Sequence, residues 1–214
     1  MRVICLLMMF ALSVPAAEYE PIDAIPEDVK SVAAVIPIYS QKVSFNLPTD
    51  WKAAFQDERS GAFLVEFIPK GEEIEKWQNL FTIQGFEQLA DKTKPIDFLD
   101  GLAQRLKESC GQYSIYEQLG HLTVSKHKAF AAIMGCSNSI DANNNVAKKE
   151  TSELGYYIAI QGEKDYYLIH KSIRGDSFDK ANSPINIDNA EDFIAEFMPI
   201  ELCQLGGEKY DCKK

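Results

Sequence analysis

The sequence predicts an α+β domain in which a central antiparallel sheet is covered by helices. Three observations predict it. Apolar and polar residues alternate at period two in several short segments; one long segment, 95–110, has helical spacing; and a second amphipathic segment stops at Pro199. Strands on both sides of one helix, followed by a closing helix, suit an antiparallel sheet whose faces the helices bury.

Taken in chain order, the ordered domain is expected to begin at Lys42. Val43, Phe45 and Leu47 alternate with polar neighbours, as a half-buried strand requires, and Pro48 stops the ladder because it has no N–H to donate. Trp51 follows a Thr49-Asp50 turn. Residues 62–68 form a second strand with Phe63, Val65 and Phe67 on one face, and Pro69-Lys70-Gly71 turns the chain. Glu72, Glu73 and Glu75 read as the solvated start of a helix, and 80–86 as a strand or as the end of that helix.

From Pro95 the period changes. Phe98, Leu99, Leu102, Ala103, Leu106 and Cys110 recur at helical spacing, Pro95 suits a first turn and Gly111 supplies the stop. Strands are expected again around 113–117 and over 128–136. Residues 137–152 are polar, include Asn143, Asn144 and Asn145 in a row, and read as a loop between strands. Residues 155–161 and 166–173 flank Gly162-Glu163-Lys164-Asp165 as a hairpin rich in tyrosine. A second helix starts near Asp188 and runs through Phe193, Ile194, Phe197 and Met198 to Pro199.

The first sixteen residues read as a signal peptide. Arg2 precedes an apolar run of about ten residues, and Ser13, Ala16 and Ala17 place a cut after Ala16. That run is shorter than the roughly twenty residues a spanning helix needs, so no membrane span is expected. Residues 17–41 read as a loosely attached N-terminal arm and 42–214 as a single domain, since no repeat of fixed period is visible. The expected location is the periplasm or the extracellular space.

The formal net charge of the chain is −10, and its lysines form no stripe along which a phosphate backbone would lie. Nucleic acid is therefore not an expected partner. Cys110, Cys136, Cys203 and Cys212 remain after the leader, an even number in an exported chain, and two disulfides are expected. Cys110 ends the central helix and Cys136 ends a strand soon after it, while Cys203 and Cys212 bracket a Gly-Gly turn. The pairing favoured on that ground is 110 with 136 and 203 with 212. A four-thiolate zinc site is the rival, but no C-x2-C or Cys/His pair supports it.

Catalytic signatures are absent. His121, His127 and His170 form no His-x-His or His-x-x-x-His pair, no G-x-S-x-G occurs, and the glycines match neither phosphate-loop pattern. Ser125 lies two residues from His127, but that spacing supplies neither a carboxylate nor an oxyanion donor. The sequence thus assigns no catalytic residue, no metal ligand and no cofactor. Its aromatic residues are the remaining signal. Trp77, Tyr156, Tyr157, Tyr166 and Tyr167 form the candidate binding surface, against the simpler reading that they pack the core. The two Tyr-Tyr pairs must each send one ring to either face of the sheet.

The strand Val43-Ser44-Phe45-Asn46-Leu47-Pro48 followed by Trp51, the helix from Pro95, and the late hairpin ahead of a terminal amphipathic helix together resemble the Mog1/PsbP-like group over roughly residues 42–202. The resemblance implies an α/β/α sandwich and a non-catalytic binding or accessory role. The expected function is an exported, non-enzymatic module recognising a protein or glycan partner, a secreted host-interaction factor being one form of it. An envelope or extracellular hydrolase with residues gathered from distant segments, and a periplasmic assembly or stability factor, are the alternatives.

Overall fold

The computed structural model describes residues 28–138, 152–178 and 182–205. Ten strands, two helices and three short 3₁₀ turns build two antiparallel sheets. The larger is formed by β3 (Trp51–Arg59), β4 (Ala62–Pro69), β5 (Asn79–Phe86), β6 (Ser114–Val124), β7 (His127–Cys136), β8 (Ser152–Gln161) and β9 (Tyr166–Gly175), in the order β3-β4-β5-β9-β8-β7-β6. The smaller contains β1 (Ser31–Ile38), β2 (Gln41–Pro48) and β10 (Glu201–Gln204), in the order β1-β2-β10. The α+β class expected from the sequence is what the chain adopts.

Each face of the larger sheet has its own cover. One face carries Phe67, Phe81, Ile83, Ile133, Ile158 and Ile169, which pack with Val43, Phe45 and Leu202 of the small sheet and with Ile194 and Phe197. Phe197 stacks on Phe81 at 3.9 Å and meets Trp51 edge-on at 4.9 Å. The opposite face carries Phe130, Ala132, Met134, Ala159, Tyr166 and Leu168 beneath Leu99, the most buried residue of α1 (Pro95–Cys110). The cover of the first face is therefore the three-stranded sheet together with α2 (Ala190–Ile194) and the 3₁₀ turn Ala195–Phe197, rather than a helix alone.

Several expectations need correction. The domain does not begin at Lys42: β1 lies within the stretch read as a loose arm and pairs along its length with β2. Pro37 obscured it, but β1 is an edge strand, where a missing N–H is tolerated. β3 was hidden by Lys52, Asp57, Glu58 and Arg59, which an edge strand with one wet face carries without penalty. Glu72 to Glu75 do not open a helix. Glu72 Oε2 instead accepts the backbone N–H groups of Gln78 and Asn79 at 2.6 and 3.1 Å, and only the 3₁₀ turn Ile74–Lys76 forms. Residues 80–86 resolve as β5. The closing helix is shorter than expected, with Asn189 rather than Asp188 at its N-cap. Most of the polar loop 137–152 falls outside the described residues.

Three fastenings hold the layers together. The buried Asp165 carboxylate, in the β8–β9 turn, accepts the Ser40 N–H at 2.9 Å, the Ser40 hydroxyl, and the Gln88 N–H at 2.8 Å. Burial alone would raise its pKa, but these donors outweigh burial and hold the group below the ordinary carboxylate value. Lys171 donates to the Phe193 carbonyl at 2.8 Å and pairs with Glu196, drawing the end of α2 onto the sheet. A disulfide joins Cys110 to Cys136 with the Cα atoms 5.9 Å apart, tying the end of α1 to the end of β7. Cys203 is also disulfide-bonded; Cys212 lies outside the described residues.

Asp165→Ala strands two backbone donors and is expected to cost on the order of 2–4 kcal/mol in urea unfolding. Because the folded-state pKa is lowered, this contribution is present above the ordinary carboxylate pKa and fades as pH falls through the folded value, so the variant and wild type should converge in acid. Unchanged stability at neutral pH would refute the clamp. Replacing both Cys110 and Cys136 by serine opens a link across 26 residues and should cost about 3.5 kcal/mol on the chain-entropy estimate, read in the same assay.

Candidate functional site

The antiparallel register places one residue from each of six strands in a row across the α1 side of the larger sheet: Glu66, Thr82, His170, Tyr157, Ala132 and Gln118. Side chains in such a row share a face, because each strand alternates its Cβ direction at period two. α1 packs over β6, β7 and β8, which covers the Ala132 end of the row. Over the remainder the sheet is roofed on one side by the flank of α1 and on the other by the loop carrying Trp77.

Between those two covers lies a cavity of about 430 Å³. Leu102, Arg105, Leu106 and Ser109 of α1 form one wall, Trp77 closes another, and Leu80, Met134, Tyr157, Leu168 and His170 line it from the sheet, with Glu66, Gln84, Glu153 and Arg174 as its polar members. Its volume falls within the ~300–1,000 Å³ usual for small-molecule sites. Arg174 sets the position of the Trp77 wall: its guanidinium lies 3.9 Å from the ring centroid and its Nη2 donates to Glu153 Oε2 at 2.8 Å.

The sheet beneath is polar in an unusual way. Thr82 Oγ1 and His170 Nδ1 are buried, make no hydrogen bond, and stand opposite each other on β5 and β9 on this face, while the Ser172 hydroxyl on the same face interacts with the Tyr157 phenol. Buried polar groups are normally paired, and each unpaired one costs about 1–3 kcal/mol. The His170 ring stacks on Tyr157 at 4.4 Å and 26°. Burial pulls the His170 imidazole down to about 3 and pushes the Tyr157 phenol up to about 12. Glu66 is also raised, first by burial and then by the charge of Glu153. Burial drives each of these three groups toward its neutral form.

The aromatic residues singled out from the sequence are placed differently from a recognition surface. Tyr166 and Tyr167 have no exposure, and Tyr156 and Trp77 are 7% and 6% exposed. The pairs do split between faces. Tyr156 and Tyr167 join the core beneath the small sheet, with the Tyr167 hydroxyl donating to the Ile38 carbonyl at 3.1 Å, while Tyr157 and Tyr166 lie on the α1 side, where Tyr166 stacks on Phe98 at 4.6 Å. Only Trp77 and Tyr157 line the cavity. An exposed tyrosine face is thus corrected to packed rings, because both sides of the sheet are covered.

Glu66, His170, Leu102, Leu106 and Arg174 were not identified from the sequence as site residues. Glu66 did carry a signal, a charge between Val65 and Phe67 that faces away from their core. Ser125 and His127 do not form a catalytic pair: the Ser125 hydroxyl accepts the Leu202 N–H at 3.0 Å and His127 Nε2 lies 3.1 Å from Gln41 Nε2. No group of three metal-ligating side chains occurs among the described residues, and no described helix is long and apolar enough to cross a membrane.

A second, larger cavity of about 820 Å³ lies between α1 and β6. Its wall holds a hydrogen-bonded set in which the Tyr116 hydroxyl donates to Asp100 Oδ1 at 2.6 Å and Gln118 Nε2 donates to the same oxygen at 3.0 Å. Asp100, Gln104, Ser114, Tyr116, Ser183 and Asn186 of its lining already have hydrogen-bond partners.

No family model matches the chain, and no curated protein matches it. Among solved structures it is similar to the Ran-binding protein Mog1p of Saccharomyces cerevisiae, at 11% identity over 78% of this chain and 95% of that one, with a TM-score of 0.46. It is also similar to cyanobacterial PsbP (CyanoP) of Synechocystis, at 12% identity over 74% and 93% of the two chains, with a TM-score of 0.40. A protein of Bacteroides thetaiotaomicron shares 14% identity over 77% of this chain, at a TM-score of 0.35, and there the match spans 46% of that protein's length.

The neutral His170 makes a testable demand on stability. Its folded pKa lies below the unfolded value of 6.5, so the unfolded chain alone takes up a proton between about pH 6.5 and 3. Relative to His170→Phe, wild type should therefore hold its stability above pH 6.5 and lose about 1.4 kcal/mol per pH unit as pH falls through that window. Parallel stability curves for the two proteins would contradict a buried neutral imidazole.

Proposed function

We propose that this chain is an exported, non-enzymatic binding protein, and that it holds its partner at the cavity between α1 and the Trp77 loop. The observation that carries this reading is a cavity with apolar walls in whose lining a buried polar atom, His170 Nδ1, has no hydrogen-bond partner. Such a site gains hydrogen bonds when occupied and leaves donors and acceptors unmet when empty.

The same geometry favours binding over acid–base chemistry. Glu66 and His170 both reach the cavity, but the register sets the β5 strand between them, a Cα separation of roughly 10 Å at the usual strand spacing. His170 Nδ1 has no carboxylate to orient it, whereas a general base needs such a partner within hydrogen-bond reach. Export rests on the leader pattern of residues 1–16, and a Cys110–Cys136 disulfide fits an oxidising compartment. The partner enters with a group no larger than the cavity, and the bulk of a protein or glycan would stay outside it.

Expression of the full chain in a bacterial host tests both parts. The expected product lies outside the cytoplasm, begins at Ala17, and has an intact mass about four hydrogens below that of the reduced chain, as two disulfides require. Native mass spectrometry of that product should show added mass that is absent from Leu106→Trp, a variant that fills the cavity. Retention of an uncleaved chain in the cytoplasm would overturn the export reading. Added mass that persists in Leu106→Trp would overturn the site.

A further inference from the structure

We propose that the cavity between α1 and the Trp77 loop is built for a small uncharged molecule, largely apolar, that carries one hydroxyl or N–H group directed to His170. The inference rests on the binding reading above and narrows it to a ligand class.

Shape and lining set the body of the ligand. Leu80, Leu102, Leu106, Met134, Leu168 and the Tyr157 ring present hydrocarbon and aromatic surface to the body of a ligand, beside a polar side formed by Glu66, Gln84, Glu153 and Arg174. A volume of about 430 Å³ admits a bicyclic ring system with short substituents and excludes an oligosaccharide chain or a folded peptide.

The polar group of the ligand follows from His170. The residue is 8% exposed, lines the cavity, and leaves Nδ1 without a hydrogen bond. A neutral imidazole offers one N–H donor and one acceptor nitrogen, so a ligand hydroxyl can meet Nδ1 in either tautomer, and a ligand N–H meets it when Nδ1 is the acceptor. Thr82 Oγ1, opposite His170 on the neighbouring strand and also unpartnered, lies beneath the lining and leaves His170 as the polar contact of the ligand.

Charge is selected against from both directions. Arg174 is already matched by Glu153, so neither is free to neutralise an incoming ion. An anion would meet Glu66 and Glu153 on the β4 and β8 side, where the charge of Glu153 already raises the Glu66 pKa. A cation at the floor would suffer the same loss of solvation that keeps the His170 ring neutral. Arg105 belongs to the exposed rim of α1, and an ion paired with it would stay outside the apolar body of the cavity.

Three naphthalene probes of one size and different charge test this with the oxidised mature protein: 2-naphthol, 2-naphthoate and 2-naphthylmethylammonium at pH 7. Titration calorimetry gives the affinities, and methyl NMR of Leu106, Met134 and Leu168 locates the probe. The expected result is saturable binding of 2-naphthol at least tenfold tighter than either ion, with shifts at those three methyl-bearing residues. Binding should weaken at least tenfold in His170→Phe and vanish in Leu106→Trp, while 2-naphthol leaves the Tyr116 region unmoved. His170→Phe removes an unpaired polar atom and should remain folded; if it does not, Leu106→Trp and the probe ranking still decide. An ion that binds as tightly as 2-naphthol, no binding of 2-naphthol to wild type, or shifts centred on the α1–β6 cavity would each overturn the ligand class. These outcomes leave the binding reading to its own test, since a charged adduct in native mass spectrometry that Leu106→Trp loses would sustain the site and defeat only this inference.

Discussion

The buried carboxylate of Asp165 is the interaction on which the arrangement of layers depends. It lies where three connections meet: the β8–β9 turn that carries it, the β1–β2 turn at Ser40, and Gln88 on the path from β5 to α1. Around it Gln41 accepts the Glu163 N–H at 2.8 Å, and the bare Cα of Gly162 lets Gln41 and Tyr167 close in, since a Cβ there would collide with Gln41 Oε1. A charge taken out of water requires such a full set of donors. The set in turn fixes how the small sheet sits on the large one, and with it the apolar layer from Phe45 through Phe81 to Phe197.

The two faces of the large sheet solve the burial problem unequally. The face under the small sheet is closed by Phe, Ile and Val side chains, and its charged residue, Lys171, is fully engaged by Phe193 and Glu196. The face under α1 is only partly roofed, because one helix is narrower than seven strands. Trp77 covers a second portion with Ile68 and Leu80. The gap left between these covers is where His170 retains unmet hydrogen-bonding capacity, with the unpartnered Thr82 hydroxyl beneath it. Gly155 contributes there as well, for a side chain at that position would collide with Ser172 Oγ and crowd the Tyr157 ring.

Much of the architecture was legible in the chain. The run from Phe98 to Leu106 announced α1, and the tyrosine pairs on either side of Gly162 announced the β8–β9 hairpin and the split of their rings between faces. What escaped notice was the edge: β1, β3 and β10 have one partner on at least one side and a wet or short profile, so alternation is weak in each. The site was harder still. Glu66, Thr82 and His170 are 104 residues apart from first to last and become neighbours only through two antiparallel registers, which local pattern does not encode. The candidate tyrosines misled for a related reason. A residue suited to a recognition surface is equally suited to a sheet covered on both sides, and the cover of the face opposite α1 comes in part from β1 and β10, the strands least visible in the sequence.

The pairing of β10 with β2 sets a timetable for the chain. Glu201 lies opposite Ser44, so the last described strand and one of the first are neighbours in the small sheet. Closing so long a loop is slow relative to forming hairpins, and it must wait until residues 201–204 are available. Until then the Phe67, Phe81 and Ile169 surface lacks part of its lid. A molecule synthesised or threaded only as far as β9 has this side of the sheet partly open, and the third strand of its cover is added when β10 follows.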